Sequence, residues 1–319
     1  ILLVWSSKGI DGFRCDMAEM VPCEFWGWVI PQIKQKHAKL TFIAEVYNPN
    51  EYRNYIHNGH FDYLYDKVGL YDTLRALTCG YASATAITGC WQSVNDIQSH
   101  MLNFLENHDE QRIASEFFAG DARKALPALL VSACMNTNPM MIYFGQELGE
   151  PGMDSEGFSG RDGRTTIFDY WSVDSIRRWS NHGRYNLHLL NDQEKELRHF
   201  YQTVLTLCNK EKAISKGEFF DLMYVNSDGW MMNPHRQYVF MRKCDDELLL
   251  VITNFDSIPV NISVNIPQHA FDFWGMRQYP EIKSRDLLTG KSEKIAFCAD
   301  KPVVTDVPAY GGKILKIKL

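Results

Sequence analysis

The chain has 319 residues and a formal net charge of −6, from 33 Lys and Arg against 39 Asp and Glu. With 45% hydrophobic and 23% charged residues it has the composition of a globular protein of about two domains, which excludes disordered, collagen-like and small disulfide-stapled architectures. The acidic balance, without any Lys/Arg block, argues against nucleic acid or an anionic membrane as partner.

Ile1-Leu2-Leu3-Val4-Trp5 followed by Ser6-Ser7-Lys8-Gly9 reads as a helix end with a glycine stop, so the chain is expected to begin inside a fold. From residue 10 to about 210, short apolar runs alternate with helical patterns, the signature of repeated β-α units around a parallel sheet. Strands are predicted over 10–16, 41–45, 61–65, 102–106 and 139–144, and helices over 24–36, 69–78, 94–100 and 122–135. Pro31 should kink or split the first helix. Asn191 with Glu194 forms a capping-box pattern ahead of a helix over 192–208, in which Leu197, Tyr201, Val204 and Cys208 repeat at helical spacing. Beyond 213 the period drops to two: Val260, Ile262, Val264 and Ile266 alternate with polar residues, as do Leu315, Ile317 and Leu319. Turns at Asp228-Gly229, Asp245-Asp246 and Thr289-Gly290 complete a small antiparallel β-domain. The expected division is 1–212 and 213–319. The longest apolar stretch, 125–135, is too short to span a bilayer. The eight cysteines show no C-x-x-C pair, which points to buried free thiols and favours a cytoplasmic over a periplasmic or secreted location.

In the first strand Arg14 and Asp16 share one face near its C-terminal end, and a guanidinium there favours the ionised carboxylate that a nucleophile needs. By itself such a pair is more often a structural ion pair. The second strand ends in Glu45, where apolar neighbours such as Val46 and Tyr47 would suit a general acid; a carboxylate capping the next loop is an equal reading. The fourth strand, ending at Glu106, runs into Asn107-His108-Asp109 and then Arg112, three polar residues suited to sugar hydroxyls or positive charge. A lone histidine such as His108 is more often structural than catalytic.

Gly12-Phe13-Arg14-Cys15-Asp16, then a strand ending in Glu45, then Asn107-His108-Asp109, in this order on successive β-α units, resembles the alpha-amylase family of glycoside hydrolases. The run from Pro139 to Phe144 and Gly145-Gln146-Glu147 is similar to the family's last barrel strand and its exit. The resemblance implies an α/β (β/α)8 TIM barrel, here only about strands four to eight, followed by an antiparallel β-sandwich domain. It implies Asp16 as nucleophile, Glu45 as acid and base, and Asp109 as the third carboxylate that binds the reacting sugar. Arg14, His108, Asn107 and Tyr47 would contact substrate or hold these groups. A retaining outcome follows, with the Asp16 and Glu45 carboxyls about 5 to 5.5 Å apart. Calcium is the one cofactor the resemblance suggests, and no metal ligands are assigned.

Two departures stand out. Ala18-Glu19 occupies the place where many alpha-amylases carry Lys-His. The family's Asp-x-x-x-Asn-His motif and the first three strands are not found, and five parallel strands alone would leave unpaired edges, so an N-terminal portion of the same protein is expected as a partner. The expected activity is hydrolysis of α-1,4 bonds in starch or maltooligosaccharides. The alternatives are a family transglycosylase, a non-catalytic carbohydrate-binding protein or inactive fragment, and an unrelated metal-dependent barrel enzyme. Phe158, Arg161, Arg164, Tyr170 and Trp171 are candidates to line a sugar cleft or to form an ordered loop; Trp26 and Trp28 read as core before sugar platform.

Overall fold

The computed structural model describes residues 1–152, 162–165 and 173–319. Its contacts cluster in two units: Ile1–Thr73 with Cys90–Phe104 and Asn138–Met141, and Leu74–Gly89 with Leu105–Thr137 and Ile142–Leu319. The expected boundary near 212 falls inside the second unit.

The first unit holds a five-stranded sheet of β1 (Gly12–Cys15), β2 (Thr41–Ala44), β3 (Tyr63–Tyr65), β4 (Met101–Phe104) and β5 (Met140–Met141), in chain order. Every neighbouring pair is parallel, and each strand is shorter than the apolar run that predicted it. Helices connect parallel strands because the chain must return to the same end of the sheet. The helix Cys23–Lys36 buries Trp26, Ile30 and Ile33. It runs through Pro31 as one element, contrary to a split, because this buried stripe continues across the proline and outweighs the one lost backbone bond. At Gly12 a Cβ would lie 2.2 Å from the Thr41 carbonyl oxygen, so only glycine lets β1 and β2 close at their first residues.

Two predicted helices differ. The pattern at 69–78 resolves into a π-helical turn, Lys67–Tyr71, followed by the helix Asp72–Thr78. Asp66 drives this: its buried carboxylate accepts from the N–H of Leu70 at 2.9 Å. Burial pushes its pKa up to about 6, the N–H groups of Leu70 and Gly69 opposing and the Asp72 charge adding. The helix expected over 94–100 lies instead at Ala86–Ser93, with only a 3-10 turn at Gln98–His100. Val94 and Ile97 are buried as core anchors, so their apolar spacing imitates helical period.

In the second unit, β6 (Glu218–Asp221), β7 (Gln237–Cys244), β8 (Glu247–Asn254), β9 (Val260–Val264), β10 (Tyr279–Asp286), β11 (Ser292–Phe297), β12 (Val303–Val307) and β13 (Gly311–Lys318) follow one another. They form an antiparallel six-stranded sheet ordered β11-β10-β13-β8-β7-β6 and a β12-β9 pair. Asp245 and Gly290 turn at positive φ between the strands they join. The apolar stretch near 125–135 is the helix Leu126–Cys134, buried from Pro127 onward against β8, β13 and the helix Asp192–Lys210. That last helix opens with the expected capping box, Asn191 and Glu194 satisfying each other's backbone N–H. Buried Arg242 on β7 gives its hydrogen bonds to the main-chain carbonyls of Met135, Ala213, Ile214 and Gly217. Burial lowers its pKa to about 10. The eight cysteines are free, as expected, though five are only partly buried. No described helix is long and apolar enough to cross a membrane.

Candidate active site

The C-terminal ends of β1 and β2 carry the first constellation. Cys15 pairs with Ala44, and the N–H of Glu45 donates to the Cys15 carbonyl at 3.1 Å. This last rung of the ladder sets Asp16 and Glu45 side by side just beyond the strands. Arg14 joins them: one guanidinium nitrogen bonds Asp16 and the other lies 3.1 Å from Glu45 Oε1. Its Nε donates to the Tyr65 hydroxyl at 3.3 Å. Burial works against the Arg14 cation, but the bonds to Tyr65 and Asp16 override it and raise its pKa.

The two carboxylates differ in access. The Asp16 side chain is 72% exposed and that of Glu45 is 8% exposed. Glu45 Oε2 also accepts from the N–H of Met17 at 2.7 Å. Met17 sits at φ 42°, a left-handed conformation that an L-residue adopts at a cost and that turns its N–H towards Glu45. The expected apolar pocket around Glu45 is therefore corrected: Val46 is buried, but the carboxylate itself faces a guanidinium and an amide.

In the second unit, β4's continuation carries the other residues. Asp109 is 53% exposed and its carboxylate lies 3.2 Å from His108 Nε2. Asn107 is buried, and its Oδ1 accepts from the N–H groups of Asp109 and Glu110 at 2.8 and 2.9 Å. It shapes the turn that presents Asp109, while its buried Nδ2 has no hydrogen-bond partner among the described residues. Glu106 and Arg112 are buried together at 1% and 0% side-chain exposure, 2.8 Å apart. Glu106 also accepts from the N–H of Ile113, and Arg112 lies over the rings of Tyr143 and Phe144. Burial raises the Glu106 pKa, and Arg112 opposes it.

Tyr47 is half-buried, its ring 5.8 Å from the Lys67 ammonium. The Glu19 carboxylate accepts from the N–H groups of Tyr47 and Asn48, both at 3.1 Å, so the residue that departs from the family pattern clamps the loop after Glu45. Sequence reasoning missed Tyr65, the Met17 amide and this clamp. Only Tyr65 had a signal, as the strand-end residue on β3. Trp26 is buried while Trp28 is 63% exposed, so core is right for the first and wrong for the second. Phe158, Arg161, Tyr170 and Trp171 lie outside the described residues, and Arg164 pairs with Asp162 at 3.7 Å. Among the described residues no group of three or more His, Cys, Asp or Glu side chains is placed to hold a metal ion, so no step here is derived through calcium.

A parallel β/α sheet with carboxylates at the C-terminal strand ends is the arrangement that barrel enzymes present. The family pattern described as the alpha-amylase catalytic domain matches residues 1–217, and the chain belongs to the alpha-amylase family of glycoside hydrolases. A cyclomaltodextrinase from Bacillus sp is 24% identical over 256 residues, 78% of this chain and 39% of that protein. Alpha-amylase MalA of Haloarcula japonica is 30% identical over 149 residues, 45% of this chain and 21% of that one. The solved maltogenic alpha-amylase of Thermotoga neapolitana superposes with a TM-score of 0.69 at 18% identity, covering 100% of this chain and 64% of the other. The chain thus spans well under half the length of these curated relatives. The partial barrel and C-terminal β-domain are the fold of these neighbours.

Proposed function

We propose that the chain carries the catalytic carboxylates of a retaining hydrolase that cleaves α-1,4-glucosidic bonds in starch or maltooligosaccharides. The observation that carries this reading is Arg14 joining one exposed and one buried carboxylate within the span of a single side chain. Asp16, open to solvent, attacks the anomeric carbon while Glu45 gives a proton to the departing glycosidic oxygen. The glycosidic bond breaks and a glycosyl ester forms on Asp16. Glu45, now the base, takes a proton from water, whose oxygen attacks the same carbon and frees Asp16. Asp109 and His108 accept and donate to the sugar's hydroxyls, and an N-terminal portion of the protein would complete the barrel.

The test is reducing-sugar release from soluble starch beside Asp16→Asn, which keeps size and removes the nucleophilic charge. Turnover lost by several orders of magnitude in the variant supports the reading, and equal turnover in both proteins sinks it. Products longer than a maltoheptaose substrate would favour transfer over hydrolysis.

A further inference from the structure

The register of the parallel sheet puts a third side chain beside the two carboxylates. Cys15 pairs with Ala44 and Ala44 with Leu64, so Asp16, Glu45 and Tyr65 stand at one level, each one residue further along its chain. Arg14, two residues before Asp16 on the same face, reaches up into this level. Its fork is divided among three strands: Nε donates to the Tyr65 hydroxyl at 3.3 Å, one terminal nitrogen bonds Asp16, and the other lies 3.1 Å from Glu45. Among the described residues no other side chain bonds the Asp16 carboxylate. Whatever orients Arg14 therefore orients Asp16.

Tyr65 is fixed where the arginine is not. An arginine stem turns freely unless its planar fork is held. Tyr65 is 3% exposed, and its ring packs against Phe104 at 5.3 Å, which is stacked in turn on Tyr71 at 4.7 Å. Its own O–H points to Met141 Sδ on β5 at 3.9 Å, which leaves the oxygen lone pairs to Arg14. A phenol is a neutral acceptor, so it holds the guanidinium without adding a third negative charge to the two carboxylates that share it. Burial this complete keeps Tyr65 off the sugar, and its influence on the chemistry passes through Arg14.

We propose that Tyr65 is a positioning residue whose hydroxyl holds the Arg14 guanidinium in the plane that serves Asp16 and Glu45 together. The reaction served rests on the hydrolase reading above; the hold on Arg14 rests on the geometry. The charged and titratable groups around Arg14 are Cys15, Asp16, Glu45 and Tyr65, and Tyr65→Phe removes one hydroxyl among them while keeping the ring on Phe104. That variant should lower kcat on maltoheptaose by about tenfold with KM within about twofold of wild type, the mark of an interaction felt in the transition state. The acidic limb of its kcat/KM profile, set by ionised Asp16, should move up by about half a pH unit, because a loosened guanidinium favours the carboxylate less. The Asp16 carboxyl signal in a carbon-detected NMR titration, assigned by its loss in Asp16→Asn, should move up equally. Tyr65→Leu, which removes the ring as well, should add instability in urea but little further loss of kcat. A tyrosine that serves packing alone gives the reverse, Tyr65→Phe like wild type and loss only in Tyr65→Leu, which overturns the proposal. Lower kcat with the limb and the signal unmoved overturns it equally. No sugar release by the wild type would fail the hydrolase reading; an Asp16 signal still shifted by Tyr65→Phe then leaves the hold on Arg14 standing, and an unshifted one overturns it.

Discussion

Each unit holds an arginine bound to a buried glutamate, and the two arrangements differ in what they leave open. Arg112 is sealed with Glu106, its charge matched one to one and covered by Tyr143 and Phe144. Arg14 is shared: it forms an ion pair with buried Glu45 at 3.1 Å and also holds Asp16, whose side chain faces solvent. A closed pair, buried on all sides, presents no carboxylate oxygen to a substrate. The shared one has an accessible carboxylate held by a guanidinium, which is what the proposed nucleophile requires.

The comparison breaks most directly at its open end. Asp16→Asn should remove starch turnover by several orders of magnitude while stability, read by urea unfolding, moves by about 0.5 kcal/mol or less, as for other exposed positions. Arg112→Leu should do the converse first, lowering unfolding stability by about 3 to 5 kcal/mol because Glu106 is left buried and unpaired. A change in the midpoint as small as that of Asp16→Asn would contradict the contrast drawn here.

Asp66 sharpens it from a third side, as a buried carboxylate bound by amides instead of a cation. Its folded pKa of about 6 exceeds the ordinary 3.8, so the folded state holds the proton more tightly than the unfolded one. The associated stability is complete below about pH 4 and is lost as pH rises to about 6, by up to about 3 kcal/mol. Asp66→Asn should flatten that part of the urea-unfolding profile between pH 4 and 7. The smallest effect belongs to Glu19→Ala, which releases the N–H groups of Tyr47 and Asn48 to water. Stability should fall by about 1 kcal/mol, with faster hydrogen exchange at residues 47 and 48 as the check.

Much of this was legible in the sequence, and the limits have physical causes. Asp16 and Glu45 could be found because period-two alternation and strand ends are local properties. All five parallel strands were visible for the same reason. The sealing of Glu106 was not, since it depends on Arg112 and on Tyr143 and Phe144 brought in from beyond β5. The helix Ala86–Ser93 has a glycine at its centre and no charged residue, so it lacked the signals that mark helices. The turn made by Asn107 was hidden too, because the sequence shows an amide but not that its oxygen accepts from two backbone N–H groups.

Arg242 bears on how the molecule can be cut. Its four acceptors come from the end of one helix at Met135 and from the short segment Ala213 to Gly217, so it acts as a rivet through the point where the sequence changes period. A truncation after residue 212 would carry the guanidinium away with the β-domain and leave the Met135 carbonyl behind. Any transplant of that domain onto another catalytic core must therefore bring its own acceptor at this position, or replace the arginine.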